Sequence, residues 1–472
     1  MYGGFGGRTN WGLVLGVVGL FAATPALSAD LGGDCCSDLE ERVAELEATT
    51  ARKGNRKVSL TISGWVNEAV FWWDDGTEKN VYAGTNLIEQ SRVRFVGEAK
   101  IDKDWSAGYI LELGVQGAPS NQWNQLSSNS TNINPNNANN AVLVRKSNWF
   151  IKSKTFGQVA VGLNGTATYH LLDDADSTLT RNVDDAEGAA IYMSAFQLRH
   201  NGVQIGPSSV AFPLRWTDVL RGFNNSTPGD SGRRDVIRYD SPTFAGFTAI
   251  AAWGENDIWD VALTYKNDIG DFNVVARAGY GESNDPGTQV GPSVSPSTGI
   301  PTSYDVGGTT CISSSTTSAS LPNFECRWGG AAATITHKPT GLFVFGGWGK
   351  QTIDTGNAAT KLNLIEPDST TWFIQPGIEH KWLPLGKTNI FGEYRHDDAG
   401  SNPGKSVGAS INFWQAGIIQ NVEAADTSFY LVYQHADGYI LGNATTGKNY
   451  APNGRTDLDA FQEVITGAKI NF

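Results

Sequence analysis

Between residues 165 and 234 the chain carries Asp173, Asp174, Asp176, Asp184, Asp185 and Glu187, together with Arg199, Arg215, Arg221, Arg233 and Arg234. Carboxylates held opposite guanidinium groups across a narrow aqueous passage set up a transverse field. Such a field sorts solutes by size and charge. The facing wall is expected to supply Arg92, Arg94, Arg238 and Arg277, which alternation aims to the same side of their strands. The competing reading is a solvated outer surface, with the arginines paired structurally to nearby carboxylates.

Covalent and metal chemistry finds less support. Ala399-Gly400-Ser401-Asn402-Pro403-Gly404-Lys405-Ser406 matches a permissive phosphate-loop pattern. That loop works only between a strand and a helix, where backbone N–H groups converge on phosphate. Here it joins two strand-like segments and contains a proline. The six histidines show no metal spacing, and no G-x-S-x-G elbow occurs. Asp173-Asp174 could exchange protons, but nothing gives them a nucleophile. No metal, cofactor or enzymatic activity is therefore expected. Cys311 and Cys326 lie in a Ser/Thr/Gly/Pro-rich stretch without zinc-spaced companions. In an exported chain they read as a loop disulfide, worth about 3 kcal/mol if unstrained. Cys35 and Cys36 are neighbours, so a strained bond or pairing with another chain are both open.

The elements that would position these groups are strands. In the last stretch, Val464, Thr466, Ala468, Ile470 and Phe472 alternate with Glu463, Ile465, Gly467, Lys469 and Asn471. Period two means one apolar and one wet face, and a terminal aromatic suits the edge of a lipid belt. The same alternation predicts strands over 57–72, 89–100, 105–117, 141–153, 156–164, 235–241, 243–253, 258–266, 270–281, 325–337, 340–350, 370–381, 386–396, 411–421, 426–436 and 461–472. The faces of 141–153, 325–337 and 340–350 cannot be assigned. Tight connections such as 266–270 and 421–426 alternate with long ones: 118–140, 165–234, 282–324, 351–369, 397–410 and 437–460. Short turns at one end and long loops at the other predict an all-β fold. It is a transmembrane antiparallel β-barrel of about sixteen strands, with periplasmic turns and external loops. At about seventy residues, 165–234 is too long for a plain connector. A barrel of this size leaves a water-filled lumen, so 165–234 is expected to fold inside and narrow it.

Composition agrees. The 472 residues include 55 glycines and only two methionines, with 11% aromatics. Mean hydropathy is −0.27, near-soluble, as in barrels whose strands are half wet. Residues 1–29 read as a secretory signal, with Arg8 before an apolar stretch and cleavage after Ala29. Removal leaves 34 basic against 48 acidic residues, a net charge of −14, which argues against nucleic acid. Residues 30–56 form a periplasmic segment in which Leu39, Val43 and Leu46 sit at coiled-coil spacing. That helix is too short to form alone. Its expected roles are self-association with neighbouring copies and possible cell-wall contact through residues 38–50. The barrel proper then spans 57–472.

The stretch from Asp34 to Lys57, running into Val58-Ser59-Leu60-Thr61-Ile62-Ser63-Gly64, resembles the start of alphaproteobacterial general porins. Trp149-Phe150-Ile151, Thr155-Phe156-Gly157 and the terminal Phe472 are similar too. The resemblance implies a homotrimer in outer-membrane lipid and lipopolysaccharide that passes small hydrophilic solutes and ions, with the third external loop inside. It also implies that Phe472 is read by the insertion machinery. Three other readings stay open. One is a substrate-selective channel with an aromatic track, for which Trp123, Tyr169 and Trp216 are available. Another is a barrel that merely anchors an adhesin or enzyme. The third is a cell-wall tether.

Overall fold

The computed structural model describes residues 58–115, 117–125, 142–183, 192–205, 214–220, 227–254, 257–283, 325–354, 368–399, 407–442 and 455–472. The signal, the 30–56 segment, Cys35, Cys36, and the Asp184, Asp185, Glu187, Arg221 and Cys311 positions lie outside the described residues.

Sixteen antiparallel strands close on themselves, because Ser59–Asp74 pairs with Phe461–Asn471 in a register that sets Trp65 opposite Asn471. Neighbours in sequence are neighbours in the sheet throughout. Each strand satisfies its backbone groups on both sides, so no edge faces lipid. Two strands are split. Lys79–Thr85 and Arg92–Lys100 both pair along Ser59–Asp74, and residues 86–91 between them turn inward. Arg455–Asp457 and Phe461–Asn471 both pair with Thr427–Gly442. The second strand was expected as one run from residue 89; its upper half is this separate segment.

Alternation sorts the two faces. Leu60, Ile62, Val66 and Val70 are exposed outward along the first strand, as are Ile374, Leu431 and Ile470 on theirs. Trp105 and Phe156 stack near the short-turn rim. Trp348, Trp372 and Trp414 lie exposed towards the other end, making the paired aromatic girdles of a membrane barrel. Phe472 points outward, and its N–H and C=O both pair with Gly64 at 3.0 Å. A side chain at Gly64 would meet the Phe472 ring at 2.7 Å.

The unassigned strands have physical reasons for their silence. Glu112 sits opposite Lys146 while Leu113 sits opposite Val144, so Arg145 is an extra residue, a β-bulge that breaks the period of two. In Leu342–Asp354, Gly349 has no room for a side chain, which would collide with the carbonyl oxygen of Pro228.

The inner wall has an apolar half. Phe71, Trp73, Phe391, Ile411, Phe413, Ile419, Val432, Phe461 and Ile465 face inward and are buried. They join Tyr192, Met193, Phe196, Leu198, Leu214, Trp216, Val219 and Leu220 of the internal loop in one cluster. Thr217–Leu220 forms a single helical turn there. The inner face of the last strand is therefore dry where it was expected wet: Glu463 is 2% exposed and Ile465 0%.

Candidate functional site

The 166–183 stretch of the long connection runs along the inner wall. Irregular backbone can be buried only if its polar groups find partners, and wall side chains supply them. Ala167 N and Thr168 N donate to the Asp260 carboxylate at 2.9 and 2.8 Å. Trp328 Nε1 donates to Thr168 Oγ1 at 2.8 Å, and Thr334 Oγ1 to the Ala175 carbonyl at 2.7 Å. Leu179 N donates to Glu379 at 2.7 Å, and Lys469 Nζ to Asn182 Oδ1 at 2.8 Å. The loop thus touches the wall from the strand of Asp260 round to the last strand. Tyr192 OH then donates to the Val183 carbonyl at 2.6 Å and accepts from Asn86 Nδ2 at 3.0 Å. This fixes the loop to the inward-turned 86–91 segment.

The loop acids do not form one row. Asp173 is fully buried, with His170 Nδ1 at 2.7 Å. Asp176 is buried and accepts from Thr178 N at 2.8 Å and Thr180 Oγ1 at 2.5 Å. Of these three, Asp174 stays half exposed, with Arg277 at 2.6 Å and Arg181 at 3.6 Å. The cause is local: Asp173–Ala175 is one 3-10 turn, so consecutive side chains leave it in different directions. The geometry thus corrects the expectation that Asp173 and Asp176 would face arginines across the passage.

All four wall arginines point inward. Arg92 lies over the Trp65 ring at 4.4 Å, 3.8 Å from Glu89 and 3.6 Å from Glu112. Arg94 Nε donates to Glu112 at 2.6 Å. Arg238 makes a two-pronged bond to Asp240 at 2.9 and 2.7 Å and donates to the Gly165 and Thr166 carbonyls. Arg277 donates to Asp174 and to the His170 carbonyl, so it holds the loop instead of facing it across water.

Sequence reasoning missed the hub. Glu112 gathers Arg92, Arg94 and Arg145, the last at 2.9 Å. Alternation already aimed Glu112 inward, but the bulge hid Arg145. Glu89 gathers Arg92, Arg181 and Lys469 at 3.8, 3.3 and 3.8 Å. Burial pushes its carboxyl up, yet Arg181, Arg92 and Lys469 more than offset that and hold it well below the usual carboxylate range. The pairs form one chain across the barrel interior: Arg94, Glu112, Arg92, Glu89, Arg181, Asp174, Arg277.

The remaining expected groups are elsewhere. Arg199 clamps Asp75 and Glu78 at 2.6 and 3.0 Å. Arg233 donates to Tyr169 OH at 2.6 Å. Trp123 and Trp216 are buried in the apolar cluster and form no track. Cys326 is buried and disulfide-bonded.

Residues 16–460 match the sequence family described as Gram-negative porin. Among solved structures, the anion-selective porin from Comamonas acidovorans is 14% identical, covers 88% of this chain and 100% of its own, and superposes with a TM-score of 0.51. OmpT, an outer membrane protein of Vibrio cholerae, is 14% identical over 89% of this chain and 99% of its own, with a TM-score of 0.47. The outer membrane channel DcaP of Acinetobacter baumannii is 9% identical over 90% and 100%, with a TM-score of 0.47. At such identities the likeness concerns the fold alone. No curated protein matches the chain.

Proposed function

Since the chain belongs to the Gram-negative porin family, we propose that this outer-membrane channel passes small hydrophilic solutes passively and favours anions. The observation that carries the anion preference is the excess of cations over carboxylates in the ion-pair network around Glu89, Glu112 and Asp174. Five cations, Arg92, Arg94, Arg145, Arg277 and Lys469, direct their ion pairs among the described residues to three acids, Glu89, Glu112 and Asp174. Local charge at the narrowest point outweighs the net charge of the whole chain, because a lumen with low-dielectric walls focuses the field.

Three finer readings go with it. The Asp34–Lys57 stretch supports a place among alphaproteobacterial general porins. Three barrels would associate through the outer faces of the first and last strands, helped by the Leu39–Leu46 helix, and cross-linking in mild detergent that yields only monomers would refute this. No nucleophile motif accompanies the lumen acids, which supports a channel and not an enzyme.

The decisive measurement is the zero-current potential of the purified protein in a planar bilayer under a KCl gradient. Its sign should report chloride preference. The preference should be largest at low salt, since the Debye length is roughly 30 Å at 0.01 M and about 3 Å at 1 M. A potential of cation sign at low salt would sink the reading.

A further inference from the structure

A second basic site lies on the inner wall towards the short turns. A cavity of about 540 Å³ opens at the short-turn end, lined by Lys146, Lys152, Lys154, Arg238, Gln158 and Asn164. The bulge at Arg145 builds it. Val144 and Trp149 face outward and are 57% and 50% exposed. The inserted residue lets Arg145 and Lys146 both turn inward. Strict alternation would have sent one of two adjacent cations into lipid, where it is costly.

The two cations are then treated differently. Arg145 is bound to Glu112 at 2.9 Å and to Gln90 Oε1 at 2.6 Å. Glu112 stands directly opposite Lys146, but its oxygens are taken by Arg94 and Arg145, with Arg92 at 3.6 Å. The one carboxylate lining the cavity, Asp240, is taken by both prongs of Arg238. Asp104, on the neighbouring turn, is engaged by Ser153 Oγ, Lys154 N and Thr155 Oγ1. The half-buried Lys146 ammonium is therefore left without an ion pair or hydrogen bond among the described residues. The Lys152 and Lys154 ammonium groups, which are exposed, also make no ion pair or hydrogen bond among the described residues. Asn164 spends its oxygen on Gly165 N, leaving its NH₂ group as a further donor.

An ammonium group withdrawn from bulk water, whose facing carboxylate is already shared by three guanidinium groups, gains from an added anion. We propose that this cavity is a docking site for small, multiply charged oxyanions of the phosphate class at the periplasmic mouth of the passage. Lys146 is the principal contact and Lys152 the second. Compact ammonium charges along one wall of the cavity suit a phosphate-class anion, since the guanidinium fork of Arg238 is already occupied. The proposal rests on the channel reading above and names a ligand class for it.

The test uses the full mature protein in planar bilayers with symmetric KCl, adding pyrophosphate to one side and then the other. Chloride current should fall saturably, at lower pyrophosphate from the short-turn side. Lys146→Gln should raise the half-blocking concentration about tenfold, the scale of losing one hydrogen bond to a charged group. Lys152→Gln should raise it less, and Lys146→Arg should restore it. KCl conductance should survive in all three. An unchanged half-blocking concentration in Lys146→Gln would overturn the proposal and assign the block to the Glu112 network. So would a wild-type channel without saturable block at about millimolar pyrophosphate. The zero-current potential read in the same bilayers keeps the two readings apart. If docking fails while the potential keeps its chloride sign, the channel reading stands.

Discussion

The two sides of the lumen use the same strand geometry for opposite ends. On the strands carrying Phe71, Phe391, Phe413, Val432 and Ile465, these inward side chains join Tyr192, Phe196 and Trp216 of the loop in one apolar cluster, with Arg395, Asp397 and Glu463 buried on the same strands. On the strands carrying Arg94, Glu112, Arg145, Lys146 and Arg238, inward residues are charged, and several line a cavity or pair with one another. Period-two alternation decides only which residues face in. What those residues are depends on what they meet, which is the apolar body of the loop on one side and other charged groups, loop carbonyls and a cavity on the other. The loop is therefore less a bar across an open pore than a filling for half of it.

The strongest way to break that comparison is to empty the dry side. Trp216→Ala or Phe413→Ala removes a fully buried aromatic, at a cost of about 3–5 kcal/mol. The loop should loosen, single-channel conductance should rise, and heat stability of the folded barrel should drop. Retention of wild-type conductance in both variants would mean that the loop is held by its polar contacts alone. Next comes the hub of the charged side. Glu112→Gln leaves three guanidinium groups sharing a neutral amide, at a cost of about 1–3 kcal/mol. The zero-current potential should move further towards chloride.

A smaller effect separates the loop acids from one another. Asp174→Asn should shift selectivity towards anions at low salt, because its carboxylate is half exposed beside Arg277 and Arg181. Asp173→Asn should leave the potential unchanged, because its side chain is buried. Equal shifts in both would return the acids to a common row facing water. The smallest effect is in pH. Burial pushes the Asp176 carboxyl up to about 6, although Thr180 and Thr178 pull it part of the way back. With a free value of about 3.9, the docked loop binds more protons than the released loop between roughly pH 4 and 6. Docking should weaken as pH rises through that window and stay at the weaker level above it. Open-channel noise should be greater at pH 7 than at pH 5, and Asp176→Asn should remove the difference.

Much of this was legible in the chain and some was not. The alternation of Leu60, Ile62 and Val66, the short turns and the long 165–234 connection were enough for the barrel and its internal loop. Arg92, Arg94, Arg238 and Arg277 follow from parity alone. Parity failed at Arg145, because one inserted residue resets it, and it carried no contrast in the glycine-rich strand of Gly349, where the loop backbone leaves no room for side chains. It also could not say that Ile465 and Glu463, facing in, are dry. The acids failed for another reason: nearness in sequence is not a common direction when the backbone makes a 3-10 turn. Parity aimed Lys469 inward, but Glu89 carries no pattern, since the inward turn at 86–91 is what brings it to Arg181 and Lys469.

The pairing of Phe472 with Gly64 has a consequence for how the molecule is made. The ring of strands is sealed along Phe461–Asn471, with the amide and carbonyl of Phe472 extending the seam, to partners roughly four hundred residues earlier. Contacts so distant in sequence must be reached against the full entropy of the intervening chain, and such topologies form slowly. No earlier strand can complete the seal, so the barrel has two raw edges until Phe461–Asn471 has been delivered. A nascent chain of this kind is exposed to strand-to-strand aggregation for its whole transit. Removing only Phe472 should slow closure and raise the aggregated fraction far more than it lowers the stability of those barrels that do close.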